Sequence, residues 1–485
     1  MQFTAFRFPL FAGMVLLLYY TVPAQIQWII LLGASLCFYL SNGFGNLGFI
    51  LLTIATTYIA SGIICHNRDL TVEKIAKQKN RCWIWIYAAV NIGLLAVCKV
   101  RFTFHNILLP LGISFYLFQS LGYVLDVYRG TVHAEKNPFK LALFVSYFPQ
   151  LVQGPISRFS QLSPQLFSVH PYDRKKVSFG MQRMLWGYFK KLVIADRIAI
   201  AVAALKAPEY TGVSFLVLAS FYAVQIYGDF TGGIDIAIGL SEAFGIDLRE
   251  NFVRPFLSKN TAEYWRRWHI TLGEWMKDYI FYPVSVSAPI RRFGKIARKE
   301  WGSAGKRIPV YAASLATWFC TGIWHGLTPN FLLWGMVNCF IIVLSGEIAP
   351  LYAKFHNRYH LKERSWYSAF EIIRTFLLMN LIRVIDLFPH VGEYFRRLGT
   401  IHTSLQVPFM DLGLSVTDYC ILLMGTLLLA CVSMLQEKKG SVRELLWNQN
   451  TAVRYGVLFC LFLMVLLLGN YGIGYDPSNF IYNQF

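Results

Sequence analysis

The stretch TWFCTGIWHGLTPNFLLWGMVN, residues 317–338, holds one ionisable group, His325, in a run of apolar and small residues. It reads as two apolar helices meeting at a short turn. His325 ends the first, Gly326 caps it, and Pro329 starts the second. Ionisable side chains at membrane depth are costly and are kept where they work. The bland alternative is a histidine bonded to a last-turn carbonyl. Neutral imidazole can take a proton from a hydroxyl near pH 7 and return it.

The rest of the chain repeats the apolar pattern. Of 485 residues, 55% are hydrophobic and 16% aromatic against 15% charged, with mean hydropathy +0.45. Runs of roughly 17–25 apolar residues mark membrane spans. They are expected at 10–23, 26–40, 49–65, 82–98, 107–125, 213–226, 309–324, 331–348, 367–385, 419–434 and 457–468. The region 141–283 is broken into short pieces and leaves the count at about 11 or 12, by apolar length. The net charge of +19 gathers in four basic segments, 66–81, 291–307, 354–364 and 437–444. Short basic loops stay cytoplasmic, which puts both termini outside and favours 12. The first helix is expected to be retained, since no small-residue cleavage site follows it. Basic groups dispersed at membrane edges suit anionic lipid rather than nucleic acid. The nine cysteines show no zinc spacing and lie mostly in apolar runs, so neither a metal nor a disulfide is expected. GFGNLG (43–48) copies a dinucleotide fingerprint in letters only. It lacks a preceding strand and an acidic residue about 20 positions on, so it is a turn. With no repeat and no linker, the chain reads as one all-α polytopic membrane domain, 1–485, with its working core at about 107–348.

Four stretches carry polar chemistry within this frame. NTAEYWRRWHITLGEWMKDYIFYP (260–283) opens with a cap at Asn260 or Thr261 and Glu263 in the first turn. Pro283 is expected to end it. Trp265, Trp268, His269, Leu272, Trp275, Met276 and Tyr279 recur at helical spacing on one face, and Glu263 and Arg267 are i,i+4 partners. Tryptophan and arginine suit an interfacial helix; His269 is either a packed, hydrogen-bonded residue or a working group. YGDFTGGIDIAIGLSEAFGIDLRENF (227–252) places Asp229 and Asp235 among apolar neighbours, where a carboxylate must be paired or face water. Arg254, Arg266 and Arg267 are candidate partners, for a structural ion pair or a substrate contact. LPLGISFYLFQSLGYVLDVYRG (109–130) threads Ser114, Tyr116, Gln119, Tyr123 and Asp126 along an apolar helix. SYFPQLVQGPISRF (146–159) follows, with breakers at Pro149, Gly154 and Pro155, as a re-entrant segment or tunnel lining. No GxSxG motif and no framed cysteine nucleophile is present. Direct transfer between two substrates with histidine as base is therefore expected, rather than a covalent enzyme intermediate.

These stretches, with YFPQLVQGPISR, QRMLWGYFKKLVIADRIA (182–199) and the final NFIYNQF, resemble the membrane-bound O-acyltransferases in order and along nearly the whole chain. The bacterial branch that serves alginate acetylation and teichoic-acid D-alanylation matches best. The resemblance implies about 11–12 transmembrane helices around a central tunnel, in a bacterial cytoplasmic (inner) membrane. It implies two motif histidines, His269 and His325, with His325 as base. It implies that Asp229, Asn251, Arg266, Arg267, Trp268, Trp324 and Asn338 face the tunnel. The acyl group, acetyl first, would come from a cytosolic thioester, either acetyl-CoA or an acylated carrier protein, as co-substrate rather than bound cofactor. It would pass outward to an extracellular or cell-wall polysaccharide, or to an extracytoplasmic, esterase-like partner protein. Membrane lipids complete the expected partners.

Two departures stand out. The family's short turn after YIPLGG is here the longer, basic YPVSVSAPIRRFGKIARKEWGSAGKR, which suits a phosphate-bearing donor electrostatically. Asn338 stands where a further histidine often occurs. Length favours alginate-type acetylation over D-alanylation from an aminoacyl carrier protein. A transporter or flippase using Asp229 and Asp235 is the remoter alternative, without the repeat symmetry that transporters show.

Overall fold

Helix dominates because the chain spends its apolar residues in runs with few breakers, and in a bilayer only a helix satisfies its own backbone. The computed structural model describes residues 2–70, 73–105, 107, 109–302, 305–472, 475, 476 and 480. Among these there is no strand, only one isolated antiparallel bridge between Phe252 and Trp268. Most of the NFIYNQF motif lies outside the described residues. Among the described residues, five helices are long and apolar enough to cross a membrane by length and composition: Phe44–Leu70, Lys74–His105, Pro329–Tyr359, Val416–Lys439 and Thr451–Leu468. The runs expected at 10–23 and 26–40 form the shorter helices Arg7–Thr21 and Ala24–Leu40.

The basic segments are not loops. Residues 66–70 end one long helix, 354–359 end another, and 437–439 a third. The segment 291–307 contains most of a further helix, Ala288–Trp301. Lysine, arginine and glutamate are good helix formers, so a helix leaving the hydrocarbon has no reason to stop there.

By internal packing the residues form two units, interleaved along the chain. One comprises Met1–Leu192, Asp229–Glu250 and Arg443–Gln484. Its core is aromatic: Phe3 meets Phe8 at 4.8 Å, Phe8 meets Phe38 at 6.0 Å, Phe38 meets Phe148 at 5.7 Å and Phe148 meets Phe244 at 6.2 Å between ring centroids. Such pairs contribute about 0.5–1.5 kcal/mol each beyond their burial. The helix Arg174–Tyr188 packs on residues 229–243 of the helix Ser214–Ala243 through glycine. A Cβ on Gly187 would lie 2.6 Å from the Gly232 carbonyl oxygen, and one on Gly180 would lie 2.4 Å from that of Gly239. The segment after Phe148–Leu151 is irregular yet buried from Val152 to Ser157. Gln150 donates to Gln119 (3.0 Å), accepts from Ser157 (2.8 Å), and Gln119 donates to the Phe144 carbonyl (2.7 Å). Irregular backbone at this depth survives only inside protein, as here.

The other unit comprises Val193–Gly228 and Asn251–Val442. Its centre is the antiparallel hairpin of Ile308–His325 and Pro329–Tyr359. The two backbones touch. A Cβ on Gly335 would lie 2.6 Å from the Trp318 carbonyl oxygen, and one on Gly322 would lie 2.8 Å from that of Phe331. Small residues at such crossings are what hold membrane helices together. Asn330, in the first turn of the second helix, donates to the carbonyls of Ile385 (3.1 Å) and Phe388 (2.5 Å), tying the turn Val384–Leu387 to the hairpin. Arg397, fully buried, donates to the carbonyls of Leu205 (2.9 Å) and Lys206, capping the helix Asp196–Leu205.

Candidate active site

The hairpin places His325 as the sequence suggests, at the last residue of its first helix, with Pro329 starting the second. Gly326 is the cap, its N–H donating to the Gly322 carbonyl at 3.1 Å. The reason for glycine is different from a left-handed cap, because φ is −171°. A Cβ there would lie 2.1 Å from the Phe331 ring, so the position is reserved for that ring. His325 is half-buried. Its ring meets Trp324 at 4.8 Å and Trp334 at 4.9 Å, and stacks at 6.4 Å on Phe331. Trp334 also packs on Trp265 (5.8 Å) and Trp318 (6.0 Å).

The second histidine is placed by a break that the helical periodicity hides. Residues 260–283 are not one helix. Thr261–Arg267 ends, His269 takes left-handed backbone angles (φ 47°, ψ 51°), and Ile270–Met276 begins. Pro283 does not end the segment, since helix resumes over Tyr282–Ser285 with Pro283 in its first turn. The expected cap holds, with Asn260 accepting from Glu263 N–H at 2.9 Å. So does the Glu263–Arg267 ion pair at 2.7 Å. The break divides the expected single aromatic face. Trp265 goes to Trp318 (4.8 Å) and Trp334, whereas Trp268 stacks on Tyr264 (5.6 Å) under the Arg383 guanidinium (4.1 Å).

A left-handed residue with a side chain costs on the order of 1–2 kcal/mol. The segment 251–253 offsets it by taking up the backbone groups the break frees. Ile270 N–H donates to the Asn251 carbonyl (3.0 Å), and Val253 N–H donates to the Arg267 carbonyl (2.9 Å). The Asn251 side chain does more. Its Oδ1 accepts from the Thr271 backbone N–H (3.0 Å) and hydroxyl (2.9 Å), and lies 3.3 Å from His269 Nδ1. A backbone N–H is always a donor, so the atom facing it is the amide oxygen. An amide oxygen only accepts. Nδ1 therefore carries the proton, and Nε2 carries the lone pair. Burial, with the charge of Arg383, pushes the His269 pKa down to about 3, so the ring is neutral near pH 7. The His269 ring meets Trp324 at 6.1 Å, so one indole lies against both motif histidines. Two buried donors nearby in sequence, Asn251 Nδ2 and Trp265 Nε1, have no hydrogen-bond partner among the described residues. Unmet buried donors cost about 1–3 kcal/mol each.

The remaining expected site residues divide. Trp324 and Asn251 contact the histidines, whereas Trp268 precedes His269 in the chain and packs its ring on Tyr264 and Phe252. Asn338 is buried on the second hairpin helix, its amide donating to the Trp334 carbonyl at 2.8 Å. Arg266 is exposed, and Arg267 pairs with Glu437 (2.9 Å) as well as Glu263. Neither is bonded to a motif histidine among the described residues. The expected arginine partners of Asp229 and Asp235 are corrected. Both carboxylates lie in the other unit, where Asp229 pairs with Lys191, and Asp235 with Lys190 (2.6 Å) and Arg183 (3.0 Å). Arg254 and Arg267 instead share Glu437. Sequence reasoning missed Lys190, Lys191, Tyr264 and Arg383. Paired charges inside an apolar run are the signal that could have found the lysines, and an arginine ending an apolar run the one for Arg383; Tyr264 carried none.

Fold and site together define an all-helical, multi-pass membrane protein with two motif histidines in an aromatic setting. The chain matches the MBOAT, membrane-bound O-acyltransferase family over residues 132–297 and 302–384, and it belongs to that family. It is 33% identical to the probable alginate O-acetylase AlgI of Azotobacter vinelandii over 67% of this chain and 64% of the relative. It is 28% identical to a peptidoglycan O-acetyltransferase of Helicobacter pylori over 81% of this chain and 75% of the relative. Identity to a teichoic acid D-alanyltransferase of Bacillus subtilis is 25% over 56% of this chain and 67% of the relative. The matches to the probable alginate O-acetylases span between 45% and 64% of those relatives' lengths.

Proposed function

We propose that this protein transfers an acyl group, acetyl first, from a cytosolic thioester to a hydroxyl of an extracellular or cell-wall polysaccharide, directly or through an extracytoplasmic partner. The observation that carries the reading is the shared indole. Trp324 lies against both a buried, neutral histidine and a half-open one. His325, the accessible member, acts as general base. The acceptor O–H proton passes to its ring, the acceptor oxygen attacks the thioester carbonyl, and the carbon–sulfur bond breaks. The imidazolium then returns the proton to the leaving thiolate. His269 shapes the site through its contact with Trp324, and the aromatic walls exclude water that would hydrolyse the thioester. The higher identity to alginate and peptidoglycan relatives supports acetyl over D-alanyl. The donor is acetyl-CoA or an acylated carrier protein.

The test is His325→Ala in proteoliposomes supplied with labelled acetyl-CoA inside and polysaccharide outside. Transfer falls by at least about 10²-fold, the lower range for a removed general base, while insertion and unfolding temperature hold. Wild-type transfer by this variant would remove His325 from the mechanism. Transfer only from an aminoacylated carrier protein would assign the D-alanyl chemistry instead.

A further inference from the structure

The helix Ala288–Trp301 is amphipathic in an unusual way. At about 100° per residue, Arg291, Arg292, Lys295, Arg298 and Lys299 form one face. All five are exposed, and none makes an ion pair among the described residues. The opposite face divides lengthwise. One flank, Gly294 and Ala297, packs inward. A Cβ on Gly294 would meet Pro309 at 3.0 Å, and one on Gly305 would meet the Ala297 carbonyl at 2.1 Å. The other flank carries Phe293 (50% exposed) and Ile296 (56%), with the exposed Glu300 one turn beyond Ile296 and Trp301 (56%) at the helix end. Among the described residues the helix touches the protein along one edge, leaving the apolar pair Phe293 and Ile296 open beside a row of cations.

Its position is fixed by the hairpin. Arg307, just before Ile308–His325, pairs with Glu347 of the facing helix, whose last turns carry Lys354 and Arg358. The amphipathic helix therefore leads directly into the basic end of the hairpin, the end remote from His325. Clustered positive charge marks the cytoplasmic face.

We propose that Ala288–Trp301 lies in the plane of the membrane as an anchor for anionic lipid, with Phe293 and Ile296 in the acyl boundary and the five cations on headgroup phosphates. A convex row of cations about 12 Å long, by helical rise, fits an extended charged surface rather than one converging phosphate group. An apolar pair beside it is what the headgroup–acyl boundary takes up. Each cation near such a surface strengthens binding about fivefold, and salt weakens it.

The test compares the full-length protein in nanodiscs of phosphatidylcholine alone and with phosphatidylglycerol. Hydrogen exchange is read over 288–301, and native mass spectrometry reads the retained anionic lipid. Phosphatidylglycerol slows exchange across the helix severalfold. Phe293→Ser with Ile296→Ser, or glutamine at all five cations, removes that protection and lowers the retained lipid, and 0.5 M salt weakens it. Equal exchange in both lipids overturns the proposal. Protection that appears on adding acetyl-CoA or an acidic carrier protein, regardless of lipid, overturns it too and assigns the helix to the donor.

Discussion

His269 owes its shape and its tautomer to one neighbour. Asn251 Oδ1 accepts from Thr271 twice and from the imidazole, so it ties the left-handed turn to the orientation of the ring. Asn251→Ala leaves buried donors unmet at about 1–3 kcal/mol each, and thermal unfolding in detergent reads the loss. Asn251→Asp keeps the acceptor and restores most of it; equal losses in both variants would mean that volume, not hydrogen bonding, matters there. The ring also makes stability pH-dependent. Its folded pKa of about 3 lies below the ordinary 6.5. The unfolded chain therefore binds the proton first, and the contribution present above pH 6.5 is lost as pH falls toward 3. The unfolding temperature of the wild type should drop more steeply between pH 7 and 5 than that of His269→Gln. Parallel profiles would contradict the buried neutral state.

Two glycines of the hairpin look alike in sequence and differ in what they meet. Gly335 faces the backbone of Trp318, whereas Gly326 faces only the side chain of Phe331. Gly326→Ala should therefore be rescued by Phe331→Leu, while no side-chain change should rescue Gly335→Ala. Recovered protein and unfolding temperature measure both. The hairpin and its histidine were legible from apolar run length and the Gly326–Pro329 punctuation. The break at His269 was not, because periodicity continues through it and only the distant Asn251–Val253 backbone makes it affordable. Asp229 and Asp235 were recognised as needing partners, but lysines and arginines are interchangeable in such an argument until packing selects one.

At the scale of the whole chain, stability rests on buried charge as well as grease. Lys191 and Asp229 are 0% and 2% exposed and bonded to each other. Lys191→Met strands a carboxylate and should destabilise by about 3–5 kcal/mol, whereas Lys191→Met with Asp229→Leu should regain most of it. No recovery in the double variant, by thermal unfolding, would give the lysine a role besides pairing. The helical membrane class was plain from composition. The fate of the basic segments was not, since positive charge tells which side a segment faces and says nothing of whether it is coiled. The touching backbones of the hairpin carry one more consequence. Helices in glycine contact cannot slide by small amounts, only by a whole turn of about 5.4 Å. The 18 residues from Ile308 to His325 thus act as a ruler about 27 Å long, close to the thickness of the hydrocarbon. Whatever meets His325 must come to a fixed distance from the Arg307–Glu347 pair, and four residues inserted before Gly322 would move that distance by a full graduation.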